Sequence, residues 1–233
     1  MIQSVVIDVI IPAYNEELSI ANVLNDIPKG LVREVIVCNN ASTDNTAEVA
    51  RNQGATVIDQ PLKGYGNACL AGIAHIRSKE ESNYPDIVVF LDGDYSDHPE
   101  QMPELIAPIL NDNKDLVIGS RALGELESGA MMPQQIFGNW LATTLIRLFY
   151  GYEFTDLGPF RAIRFPKLLE IDMQDRDFGW TVEMQVKAAK LKLQCTEIPV
   201  KYRKRIGVSK VSGTVRGTLL AGHKILWTIF KLL

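Results

Sequence analysis

Two carboxylates one residue apart, Asp92 and Asp94, stand directly behind the apolar run Ile87-Val88-Val89-Phe90-Leu91. That run reads as a buried parallel strand, bounded by Pro85 ahead and Gly93 behind. Ligands of open α/β sheets bind beyond the carboxyl ends of the strands, which is where this pair of acids is delivered. Hard oxygen donors at this spacing suit a divalent cation that also holds phosphate oxygens, and the glycine between them is expected to let the chain turn tightly. Asp and Gly are also ordinary turn residues, so the neighbouring segments must decide between the two meanings.

Three other stretches repeat the arrangement: Pro12 to Glu16, Asn39 to Asp44 and Lys63 to Asn67 are polar, small-residue segments behind apolar runs. Together with Asp92 to Asp94 they would line one crevice. A nucleotide fits such a place, its base read by backbone and amide groups and its diphosphate held by a cation and basic side chains. No Gly-x-Gly-x-x-Gly follows the first strand and there is no Walker lysine loop, which argues against dinucleotide binding and against an ATPase.

The elements that must position these loops follow from periodicity. Strands are expected at Val5–Ile11, Val35–Cys38, Thr56–Ile58, Ile87–Leu91 and Leu116–Arg121, all rich in β-branched residues. Helical spacing fills the gaps, over Glu17–Asp26, from Thr46 to about Asn52, from Gly64 to about Ser78 and over Pro99–Leu110. This alternation predicts an α/β fold with a doubly wound, mostly parallel sheet. A long mobile loop is expected over Ala122–Gln135, a helix over Ile136–Tyr150 and a turn entering a strand over Asp156–Arg164. A helix over Thr181–Lys190, a strand over Thr196–Tyr202, a basic loop over Arg203–Gly213 and a last helix over Thr214–Leu233 complete the chain.

A chain of 233 residues with a net charge of −4 buries a substantial core and lacks the broad basic field of a nucleic-acid binder. Cys38, Cys69 and Cys195 form an odd set without metal-ligand spacing, as expected of a reduced, cytoplasmic compartment. The chain enters its first strand pattern with no basic leader, and no long uncharged apolar run calls for a bilayer span. His75, His98 and His223 have no partner set in the sequence and read as structural.

Pro-Ala-Tyr-Asn-Glu at 12–16, Asn-Asn-Ala-Ser-Thr-Asp-Asn-Thr at 39–46, Lys-Gly-Tyr-Gly-Asn-Ala at 63–68 and Asp-Gly-Asp at 92–94 resemble, in this order, the family 2 glycosyltransferases. The resemblance covers nearly the whole chain and implies a GT-A fold and a metal-dependent, inverting sugar transfer with Mg²⁺ or Mn²⁺. It implies that Pro12, Ala13, Tyr14 and Glu16 surround the base and ribose of a sugar nucleotide, joined by Asn39, Asn40, Asp44, Lys63, Gly64 and Asn67. The family's usual Asp-Asp is replaced here by Asn39-Asn40, which can still bond a pyrimidine edge. Asp44 equally suits a helix N-cap. Asp94 becomes the principal metal ligand, Asp92 binds ribose or metal, and Ser96 stands where some relatives offer another metal-side group.

The second half resembles the dolichyl- and polyprenyl-phosphate mannose and glucose synthases through Gly119-Ser120-Arg121, Asp156 with Phe160-Arg161, Trp180 with Glu183, and Arg205-x-Gly207-x-Ser209-Lys210. A lipid phosphate is already a nucleophile, so cations that screen two approaching phosphates matter more than a strong base. Arg121, Arg161, Arg205 and Lys210 are the candidates. With a saccharide or other hydroxyl acceptor, Asp156 or Glu183 would be the base, although Asp156 also suits a turn and Glu183 an i,i+4 pair with Lys187. Gln134 and Gln135 stand where mannose-synthase relatives are basic.

One domain is expected over 1–213. The amphipathic helix 214–233 either belongs to it, lies in a membrane interface on the inner face, or pairs in a homodimer. The expected reaction is glucose transfer from a UDP-sugar to a polyprenyl phosphate. A different class, a non-catalytic nucleotide-sugar binding module, is the other reading of the same loops.

Overall fold

Apart from Asp8, apolar residues fill Ile7–Ala13, the first strand (β1), and all seven positions are buried. The computed structural model describes residues 5–207 and 215–233, the side chains of 215–219 excepted. Behind β1 come α1 (Ile20–Asp26), β2 (Glu34–Asn39), α2 (Thr46–Asn52), β3 (Thr56–Asp59), α3 (Tyr65–Arg77) and β4 (Ile87–Phe90). The second half supplies α4 (Met102–Asn111), β5 (Leu116–Ser120), α5 (Pro133–Tyr150), β6 (Arg161–Arg164) and α6 (Phe165–Ile171). It ends with α7 (Trp180–Lys190), β7 (Cys195–Pro199) and α8 (Val215–Lys231).

The strands form one sheet in the order β3-β2-β1-β4-β6-β5-β7. β1 pairs in parallel with β2 and β4, β2 with β3, and β5 with β7. The order reverses at β1, so the loops after β1, β2 and β4 meet in one crevice. β6 breaks the parallel pattern, running antiparallel between β4 and β5. The segment after α5 explains this. Tyr152 bonds the backbone of Cys195 at the start of β7, and Thr155 and Asp156 bond Glu197. Thr155 then meets Ser120 at the far end of β5. The chain has already climbed to the carboxyl edge before β6 begins, so β6 can only run down.

Side chains alternate across each strand and split the core in two. Ile10, Cys38, Val88 and Phe90 pack with α3 and with the helices of the second half, α5 to α8. Val9, Ile11, Val37 and Val89 pack against α1, α2 and α4. α5 begins three residues before the sequence pattern indicates, because Pro133 occupies its first turn and the Gln135 side chain accepts the Met132 amide at 2.8 Å. α8 lies on α5 and α7. The Tyr150 hydroxyl donates to the Ile229 carbonyl at 2.5 Å, and Phe149 meets Phe230 edge to face with centroids 5.5 Å apart.

A charged network closes the amino end of the sheet, away from these loops. Asp8 is fully buried in β1 and accepts from Arg33 Nε at 2.9 Å, with Lys79 3.4 Å away. Lys79 also pairs with Glu34, which bonds Thr56 at 2.7 Å and His75 at 3.2 Å. Burial works against the Glu34 charge, but the bonds from Lys79, Thr56 and His75 outweigh it and hold this carboxyl down at about 2.

Candidate active site

Each of the three converging strands ends in a sharp turn carried by a residue other than glycine. Asn15, Ala41 and Tyr95 have φ of 54°, 55° and 65°, the left-handed region that costs an Ala or Tyr about 1 kcal/mol or more. Gly93 is not among them. A Cβ there would sit 3.5 Å from Ala13 and Glu16, an ordinary contact, so the turn expected at Gly93 is made two residues later. Strained backbone at all three converging turns marks a place where the surroundings dictate geometry.

A cleft of about 410 Å³ opens between these turns, lined by Pro12, Ala13, Tyr14 and Glu16 from the first, Asn40 from the second and Asp92 to Asp94 from the third. Lys63, Gly64 and Tyr65 form another wall, and Asp177, Phe178 and Arg205 complete it. The Ser19 hydroxyl donates to the Gly93 carbonyl at 2.8 Å and to Glu16 Oε2 at 3.1 Å, tying the first turn to the third. Lys63 Nζ lies 3.0 Å from the Tyr14 hydroxyl and 4.8 Å from its ring centroid, a cation facing the cleft mouth.

The acids sit at the floor. Asp94 Oδ1 accepts the Ser96 hydroxyl at 2.5 Å and the Ser96 amide at 2.9 Å, which fixes the plane of the carboxylate. Its Oδ2 lies 2.8 Å from Arg205 Nη2. Asp92 Oδ1 accepts the Tyr65 hydroxyl at 3.0 Å. Burial first, then the charge of Asp94, push the Asp92 carboxyl up to about 7. Two crowded acids, one of them already paired with a guanidinium, have the charge and oxygen chemistry of a divalent-cation site. Among the described residues no three acidic, His or Cys side chains are arranged to hold a metal ion, although Asp97 is buried beside the pair.

Several expected residues build the walls from behind, and of these only Asn40 also lines the cleft. Asn40 accepts the Gly64 amide at 2.8 Å and donates to the Leu62 carbonyl at 2.7 Å, so its amide shapes the Lys63 loop. Asn39 does not line the cleft, because strand register sets it beside Asp59, 2.7 Å from its amide. Asp44 is not the N-cap of α2, which is Asn45, but it accepts the amide and hydroxyl of Thr46 at the helix start and the Glu17 amide at 3.3 Å. Burial opposes its charge, yet those bonds keep its carboxyl below the usual range. Asn67 donates to the Lys63 carbonyl at 3.0 Å and takes no part in the cleft surface.

The four residues expected to be catalytic lie outside the cleft lining. Arg161 is fully buried and gives its guanidinium to the carbonyls of Leu157, Gly158 and Thr181, which leaves no phosphate clamp. Burial pushes it down to about 10, against the pull of Tyr65 and Asp156. Glu183 accepts the amides of Gln174 and Asp175 and pairs with Lys187 at 2.8 Å, anchoring the 174–178 segment. Asp156 is held by Arg121 in a two-pronged pair, 2.6 Å and 2.8 Å, and its Oδ2 also takes the Arg121 amide. Both oxygens are therefore engaged. Arg121 stacks on Tyr202 at 5.1 Å. Lys210 and Ser209 lie outside the described residues.

Residues that sequence reasoning passed over complete the site. Tyr65 lay inside a quoted motif, so the signal was present. Ser19 sits within the first helical pattern and carried no separate signal. Asp177 and Phe178 had none, because a tertiary approach brings them in. A Cβ on Gly64 would stand 2.2 Å from the Arg176 carbonyl oxygen, and one on Gly66 2.0 Å from that of Asp175. Only glycines let the 175–178 segment press against the start of α3.

Residues 8–171 match the model of the family described as Glycosyl transferase family 2. An uncharacterised glycosyltransferase of Mycobacterium tuberculosis is 35% identical over 217 residues, covering 92% of this chain and 94% of that protein. The undecaprenyl-phosphate mannosyltransferase of Micrococcus luteus is 31% identical over 225 residues, 89% of this chain and 88% of that protein. Among solved structures, glucosyl-3-phosphoglycerate synthase from M. tuberculosis, in complex with Mn²⁺, UDP-glucose and phosphoglyceric acid, superposes with a TM-score of 0.77. That match covers 97% of this chain and 79% of the other at 23% identity, a likeness of fold. With its family match running from β1 through α6 and its relatives above 30% identity over most of their length, the chain belongs to glycosyl transferase family 2 and is an enzyme of the GT-A fold.

Proposed function

We propose that this enzyme moves glucose from UDP-glucose to a polyprenyl phosphate, inverting the anomeric carbon. The observation that carries the reading is the floor of the cleft. Asp92 and Asp94 stand together beneath a nucleoside-sized opening, with Lys63 and Arg205 on its walls. Asp94, with Asp92 beside it, would hold Mg²⁺ or Mn²⁺, which supplies charge neutralisation for the departing nucleoside diphosphate. Ser96 keeps Asp94 in one orientation, Tyr65 does the same for Asp92, and Lys63 meets the diphosphate from the mouth.

Supporting the choice of acceptor, Asp156 has both oxygens bound to Arg121 and is a poor base for a hydroxyl, whereas a phosphate monoester arrives already ionised. The relative from Micrococcus luteus, named for undecaprenyl phosphate, points the same way. Exposed Phe137, Trp140 and Leu148 on α5 and Trp227 and Phe230 on α8 give two adjacent helices an apolar surface suited to a membrane interface. Among the described residues no helix is long and apolar enough to cross a membrane.

Radiolabelled UDP-glucose with a short-chain prenyl phosphate, against parallel reactions with 3-phosphoglycerate and simple sugars, tests this reading. Label in the lipid phase, dependent on Mn²⁺ and lost in Asp94→Asn, is expected. Transfer to the hydroxyl acceptors alone would return Asp156 to the role of base. Tight UDP binding with neither transfer nor hydrolysis would leave a binding module.

A further inference from the structure

Arg205 does not reach the acids through chance placement of a long side chain. Backbone bonds stitch its neighbours to the third turn on both sides. The Arg203 amide donates to the Ser96 carbonyl at 2.9 Å and the Ile206 amide to the Asp94 carbonyl at 3.0 Å. Arg203 adds a second fastening, with Nε 2.7 Å from the Tyr95 carbonyl and Nη2 2.9 Å from that of Asp97. Its guanidinium lies 3.4 Å from the Tyr95 ring centroid. Arg205 is thus held over the cleft floor, where Nη2 contacts Asp94 Oδ2 at 2.8 Å and Glu16 Oε1 at 3.4 Å.

Two features of this contact are unusual for a finished ion pair. Arg205 Nε is buried and has no acceptor among the described residues, so the fork is only partly satisfied. The oxygen it holds, Asp94 Oδ2, belongs to the carboxylate best placed to ligate a cation. One carboxylate edge cannot serve both partners well, since two cations in van der Waals reach of the same oxygen repel each other.

We infer that Arg205 is an internal counter-ion that competes with the divalent cation for Asp94 and is released by the diphosphate. This rests on the reading of the cleft given above. In the ligand-free protein the guanidinium neutralises Asp94 and Glu16 and weakens the site for a bare cation. A diphosphate offers Arg205 oxygens that satisfy the open Nε and suit its planar fork. Asp94 is thereby freed. Cation and nucleotide then favour each other's binding, and by linkage the factor is the same in both directions.

The test is Mn²⁺ binding, followed by the loss of the free-ion EPR signal, with and without UDP, in the wild type and in Arg205→Met. The substitution keeps an unbranched, flexible side chain, shorter than Arg, and removes the charge. Expected without nucleotide is about tenfold tighter Mn²⁺ binding in the variant, within the usual span of coupling factors. With UDP present the variant loses most of the tightening that UDP gives the wild type. Arg205→Lys, which keeps the charge, retains weak binding of the bare ion, and Asp94→Asn abolishes Mn²⁺ binding in either background. Arg205→Gln repeats the experiment should the Met variant unfold. Unchanged or weaker Mn²⁺ binding in the uncharged variants, while wild type still binds Mn²⁺ with UDP, overturns this inference alone. Absence of Mn²⁺ binding even with UDP removes the reading of the cleft, and this one with it.

Discussion

The Tyr65 hydroxyl is the only side-chain donor among the described residues that reaches Asp92, and both residues are half-buried in the cleft lining. A half-buried carboxylate that loses its donor is left short of solvation, at a cost of about 1–2 kcal/mol. Tyr65→Phe is therefore expected to weaken Mn²⁺-dependent UDP binding by roughly tenfold, with the fold intact, as read by titration calorimetry. Equal affinity in the variant would mean that Asp92 takes no part in the loaded site. Asp97 poses the same question from the other side. It is buried beside the two acids, neither of its oxygens has a hydrogen-bond partner among the described residues, and burial, then Asp92 and Asp94, push its carboxyl well up.

At the scale of elements, the start of α3 and the 175–178 segment exist as one unit. Gly66→Ala would drive a methyl group into the Asp175 carbonyl, and overpacking of this kind costs about 1–3 kcal/mol. A lower thermal midpoint together with weaker UDP binding is expected, since Asp177 and Phe178 share that wall. A lower midpoint with full UDP affinity would separate the wall from the ligand. The opposite end of the sheet has its own pH signature. Glu34 is held near 2 in the folded protein, against 4.5 for an ordinary Glu. A depressed carboxyl stabilises fully above its unfolded value, and that contribution is lost as pH falls from about 4.5 towards 2. Glu34→Gln should flatten the stability curve across this window in denaturant titrations. An unchanged slope would show that Lys79 and His75 add nothing to the fold.

For the whole molecule, the question is what covers α5 and α8. Trp140 and Trp227 are 59% and 56% exposed on helices that touch each other, and Lys224 and Lys231 lie on the same α8. Vesicles containing phosphatidylglycerol are expected to carry the wild type down on sedimentation, and the Trp140→Ala/Trp227→Ala pair to remain in the supernatant. Wild type that ignores vesicles and sediments as a dimer in solution would assign the surface to a second copy. An ion pair joins α8 to the cleft wall. Lys224 of α8 pairs with Asp175 at 2.9 Å, within the segment that walls the cleft.

Local chemistry alone settled a good part of this protein. β-branched runs named five of the strands, the acids after β4 named the floor of the cleft, and polar loops after β1 and β2 named two of its sides. These are properties of neighbouring residues, and a strand's carboxyl end is an address that periodicity can supply. Tertiary structure decided the rest, because those questions turn on which groups meet across long separations. The direction of β6 depends on where the 152–156 segment climbs. Asp156 and Arg121, 35 residues apart, consume each other, and Arg161 spends its guanidinium on carbonyls of the core. Phe178 enters the cleft because glycines at 64 and 66 leave room for backbone. A charged side chain's role depends on whether its partner is protein or ligand, and only the folded chain says which partner is within reach.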